Sequence, residues 1–77
     1  DAADCVGLPG IHQEVKFVER LNIREAMAQA KHDAAEKGYG DIPIVAHKKS
    51  NSEWLITMRA ADWFKLYREW DNGRRRE

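Results

Sequence analysis

Between positions 22 and 38, Ile23, Ala26, Met27, Ala30 and Ala34 recur at helical spacing, which predicts one helix with a narrow apolar stripe. Three of those five residues are alanines, so the helix can approach a sheet closely. Its ends are marked in the sequence. Asn22 is a side-chain cap, and Glu25 follows it at the capping-box spacing, where its charge also suits the helix dipole. Gly38 is a natural residue to end the helix in a left-handed conformation. Asn22, Gln29 and Asp33 border the apolar stripe.

A helix of this kind needs strands, and the flanking segments supply them. "GLPG" at 7–10 is a turn between short extended runs. "IHQEVKF" at 11–17 alternates, with Ile11, Gln13, Val15 and Phe17 on one face and His12, Glu14 and Lys16 on the other. "IPIVAHKK" at 42–49 reads as a buried strand, "SNS" at 50–52 as a polar turn and "EWLITMR" at 53–59 as the returning strand. From about Ala61 to Trp70, the aromatic residues Trp63, Phe64, Tyr67 and Trp70 share a wide helical face suited to packing on the sheet. The expected fold is α/β (α+β), a mixed sheet of about four strands in ββαββα order with helices packed on it. One domain over 1–72 is followed by a basic tail over 73–77.

Seventy-seven residues make one domain with a marginal apolar core. Lys plus Arg balance Asp plus Glu at 13 each, so net charge does not indicate a nucleic-acid partner, and a local basic patch would be required. The lone Cys5 cannot close an intrachain disulfide. With no signal peptide and no long apolar run, a reducing cytoplasm and no membrane partner are expected. The first residue is not methionine and the chain opens on what reads as a strand, so residues upstream are expected to be missing from this numbering.

Two carboxylates facing each other across the first turn, Asp4 and Glu14, repel unless a proton or a cation intervenes. A hard divalent ion is the natural occupant. Scattered His12, His32 and His47 and the single cysteine offer no zinc spacing, so oxygen ligation favours Mg²⁺, with Mn²⁺ as a substitute. Lys16, on the Glu14 face, could orient a metal-bound water or offset developing charge at a phosphodiester.

Asp4, then "EVK" at 14–16, then a helix bearing Gln29, resembles the PD-(D/E)XK nuclease superfamily. More narrowly, "DCVGLPGIHQEVKFVERLNIREAMAQA" followed by "IPIVAHKKSNSEWLITMRAADWF" is similar to small phage-type nucleases described as Holliday-junction-resolvase-like, and the similarity covers nearly all of 4–67. The resemblance implies a metal-dependent DNA endonuclease, in the host cytoplasm if phage-encoded. It implies Mg²⁺ held by Asp4, Glu14 and the carbonyl of Val15, water assisted by Lys16, and Gln29 near the site. Ala3 stands where the family usually has proline. The family's upstream helix, often bearing another acidic residue, is not represented.

Each residue also has a plainer reading. Glu-x-Lys is a common charge pair on a half-exposed strand, Asp4 can be a surface acid, Gln29 a polar border, Asn22 a cap and His12 a partly exposed histidine. Glu19 and Arg20 either approach a phosphate or form a solvated turn. Lys48, Lys49, Arg74, Arg75 and Arg76 either meet a DNA backbone or are simply solvated. The three tryptophans leave apolar area that a homodimer would bury, and a dimer suits an enzyme that must cut two strands. The alternative function is a catalytically inactive nuclease-fold domain that binds nucleic acid or serves assembly.

Overall fold

The structure, a computed structural model, describes residues 8–76. Over these residues the chain forms strand β1 (Ile11–Phe17), helix α1 (Ile23–Lys37), strand β2 (Ile42–Lys48), strand β3 (Leu55–Met58) and helix α2 (Ala60–Arg75). The strands make one mixed sheet in the order β1-β2-β3. β1 and β2 are parallel and are joined through α1, whereas β2 and β3 are antiparallel and joined through residues 49–54, in which the Ser52 N–H bonds back to the Lys49 carbonyl. The α+β class is therefore as expected, with three strands among the described residues. The anticipated first strand, Asp4 included, lies outside them.

Helix α1 forms where its end signals are local. The Asn22 side chain accepts from the Glu25 backbone N–H at 3.1 Å, and its amide donates to the Glu25 carboxylate at 3.2 Å. Gly38 closes the helix at φ 70°, a left-handed conformation in which its N–H reaches the Ala35 carbonyl. The stripe falls as its spacing predicts: Ala26, Ala30 and Ala34 are buried, and Ile23 and Met27 pack beside them. Ala26 and Ala30 lie against the fully buried Val45 of β2, and this contact is the centre of the core.

Proline in a central strand needs an explanation, because it cannot donate to a ladder. The Ile42 N–H bonds to Gly10 of the β1 side, so even-numbered residues of β2 face β1 and Pro43 faces the opposite edge. On that edge β3 pairs only with Ile44 to His47, ending at Met58. The missing donor at Pro43 therefore lies past the end of β3.

Two expectations are corrected. The aromatic face of α2 does not pack on the sheet: Trp63 is 49 % exposed and Trp70 60 % exposed. One residue, Arg59, separates β3 from α2, and the helix leads away from the sheet. Its aromatics stack on one another along the helix instead, with Trp63 and Tyr67 centroids 5.6 Å apart and nearly parallel. The basic tail is also not a tail at its start, because α2 continues through Gly73 to Arg75. Asp71 accepts from Arg74 at 2.9 Å and from Arg75 at 2.7 Å, interactions one turn on that oppose the helix-weakening effect of Gly73.

The closeness of α1 to the sheet depends on small side chains at the contact. Ala30→Leu is expected to destabilise the fold by about 1–3 kcal/mol through overpacking, whereas Ala28→Leu, at an exposed position of the same helix, should change stability by less than about 0.5 kcal/mol. Urea unfolding followed by circular dichroism measures both.

Candidate functional site

Alternation along β1 places His12, Glu14 and Lys16 on one face, and α1 covers that face rather than the one bearing Ile11, Val15 and Phe17. The consequence is an inversion of the usual pattern. His12 is only 8 % exposed while Phe17 is 59 % exposed. Phe17 is sheltered by Trp54, edge-on at 6.3 Å, and by the Lys48 ammonium 5.4 Å from its ring centre.

A polar face under a helix must find partners within the protein. His12 Nε2 lies 2.9 Å from Glu14 Oε1, and Lys37, in the last turn of α1, approaches His12 Nδ1 at 3.1 Å. An ammonium can only donate, so Nδ1 is the acceptor. The ring proton then sits on Nε2 and is donated to Glu14. From the same helix, Gln29 Nε2 donates to both carboxylate oxygens of Asp33 at 3.1 Å. No buried side-chain polar atom among the described residues lacks a partner.

His12, Glu14 and Asp33 each present a ligand atom, and these atoms lie within 4.8 Å of one another. The Asp33 carboxyl is held below its ordinary pKa, first by the Gln29 amide, next by hydrogen bonding with Glu14, and further by the nearby His12 and His32. Two carboxyl groups whose oxygens lie within 4.8 Å of each other repel unless a proton or a cation lies between them. The donor set therefore fits a divalent ion: Glu14 and Asp33 supply hard oxygens, and His12 orients Glu14 by donating from Nε2.

The expected site residues are thus partly assembled. Glu14 is in the group, Gln29 joins it through Asp33, and Lys16 lies on the same strand face, where it lines a cavity shared with Gln29. Val15 is not brought into the group. Gly10 and Val18 bond toward β2, so the backbone groups of odd-numbered Val15 point to the other edge of β1, and its side chain lies on the opposite face. Asp4 lies outside the described residues. Sequence reasoning does not single out Asp33 or Lys37 as site residues, and it leaves His12 partly exposed. Asp33 carries one signal, its position four residues after Gln29 on the same helix face.

The loop from β1 to α1 rims this region. Glu19 turns toward the β2–β3 connection, where its carboxylate accepts from the Ser50 backbone N–H at 2.7 Å. That hydrogen bond, followed by further bonding to Ser50 and the positive charges of Lys49 and Lys48, holds Glu19 below its ordinary pKa. A depressed carboxylate stabilises the fold above the ordinary carboxylate range, and this stabilisation is lost as pH falls through the lowered value. Glu19→Gln should therefore melt below wild type at neutral pH, and the gap should close as pH drops beneath the Glu19 titration. Differential scanning calorimetry across that range checks the trend, and a gap independent of pH would contradict it.

No protein-family model, no curated protein and no solved structure matches this chain.

Proposed function

We propose that the chain is a Mg²⁺-dependent endonuclease that hydrolyses phosphodiester bonds in DNA, with branched or junction DNA as substrate and two copies acting together so that two strands are cut. The observation that carries the reading is the convergence of Glu14, Asp33 and Gln29, with Lys16 two residues along the same strand face. The resemblance of "EVK" and the Gln29 helix to PD-(D/E)XK nucleases supplies the reaction class. No helix among the described residues is long and apolar enough to cross a membrane.

A divalent ion bound here supplies Lewis-acid polarisation of the phosphoryl oxygen and an acidified water. Glu14 and Asp33 would hold it, and Asp4, by the resemblance, would be a further ligand. His12 fixes the Glu14 carboxylate by donating from Nε2, while Lys37 fixes the His12 ring from the other side. Gln29 clamps both oxygens of Asp33, which keeps that carboxylate ionised and oriented. Lys16 presents a cation beside them to orient the attacking water and offset charge developing on the phosphate. The roles are divided among the side chains: Glu14, Asp33 and, by the resemblance, Asp4 would ligate, His12 and Gln29 aim the carboxylates they touch, and the Lys16 ammonium faces the substrate.

The test is cleavage of junction, flap and linear duplex DNA in Mg²⁺ by wild type, Glu14→Gln and Lys16→Ala. Wild type should cut branched substrates in preference to linear duplex, and each variant should be slower by about 100-fold or more. Equal cutting by all three proteins would overturn the catalytic assignment, and cutting confined to linear duplex would overturn the junction reading.

A further inference from the structure

Beside the carboxylate group, a cavity of about 300 Å³ opens between the end of β1 and the start of α1, lined by Lys16, Arg20, Asn22, Glu25 and Gln29 over a floor that includes Leu21. Its charges are unevenly satisfied. Among the described residues, neither Lys16 nor Arg20 has an ion-pair partner. Glu19, the acid next to Arg20 in sequence, is committed elsewhere, to the Ser50 N–H. Glu25, the one carboxylate on the cavity wall among the described residues, is tied to Asn22 by the capping box. That same box occupies the end of α1, so the helix terminus is not what the cavity offers. It offers two unpaired cations and an amide.

Gln29 belongs to both places. Its Nε2 donates to Asp33, while the residue also lines the cavity, so a group held there lies next to Glu14 and Asp33. An anion with oxygens on several sides is the natural complement to an ammonium and a guanidinium facing one space.

We propose that this cavity receives a phosphodiester group of the DNA strand, with Lys16 and Arg20 as its cationic walls and Arg20 as the residue that seats the strand beside the carboxylate group. The proposal rests on the endonuclease reading in naming DNA as the source of the phosphate. Arg20 contacts the backbone and acts on strand position, so its contribution is independent of base sequence and sensitive to salt. Its exposed side chain has no structural partner among the described residues, so removing it leaves the fold in place.

The experiment is fluorescence anisotropy of labelled junction DNA with wild type, Arg20→Ala and Arg24→Ala. Binding is measured as a function of salt, with Ca²⁺ replacing Mg²⁺ so that strands stay intact. Arg24 carries the same charge four residues on but does not line the cavity. Arg20→Ala should lower the slope of log K against log salt by about 0.9, the loss of one phosphate contact, and Arg24→Ala should leave it at the wild-type value. A wild-type slope in Arg20→Ala, an equal loss in Arg24→Ala, or no DNA binding by wild type would each overturn the proposal. Intact binding that depends on Arg20, with no cleavage in Mg²⁺, would instead overturn the endonuclease reading and leave this one standing.

Discussion

The contact of Ala26 and Ala30 with Val45 determines most of what lies around it. Small side chains bring α1 close to the sheet, and the parallel register aligns Val45 with Glu14 on the neighbouring strand. The helix therefore covers the His12–Glu14–Lys16 face of β1. Once that face is covered, its polar groups must be satisfied from the helix, because leaving them unpaired would cost about 1–3 kcal/mol each. Lys37 of α1 does this for His12, whose Nε2 in turn donates to Glu14. The packing of three apolar residues and the assembly of a hydrogen-bonded site are one arrangement.

The site has two electrostatic halves joined by one amide. On one side Glu14 and Asp33 crowd negative charge where a cation is favoured. On the other, Lys16 and Arg20 face a cavity in which no acid among the described residues is free to neutralise them. Gln29 touches both. This separation suits a phosphodiester reaction, in which the substrate is anionic and the ion that activates it is cationic. In a chain of balanced net charge, the charge is sorted locally rather than accumulated overall, which is what the proposed DNA substrate requires.

What was legible in the sequence was what local chemistry determines. Helix α1, its Asn22 and Gly38 ends and its alanine stripe follow from interactions within a few residues of one another, and all appear in place. The alternation of β1 was equally readable. Which of its faces would be covered was not, because Ile11, Val15 and Phe17 form the more apolar set and the matter is decided by the register with β2 and by the packing of α1 on Val45. For the same reason the burial of His12 was hidden. The aromatic spacing of α2 correctly marks a helix, but it carries no information about direction, and the single residue between β3 and α2 turns that helix away from the sheet. Gln29 was recognisable from the resemblance, and Asp33 from helical geometry once Gln29 was given a role.

The functional reading turns on whether the covered polar face of β1, together with Asp33, forms a cation site. Isothermal titration of Mn²⁺ into wild type and Asp33→Asn tests this without any substrate. One saturable site in wild type, weakened by about tenfold or more in Asp33→Asn, is the predicted result. Mn²⁺ binding that is absent from wild type, or unchanged by Asp33→Asn, would contradict it.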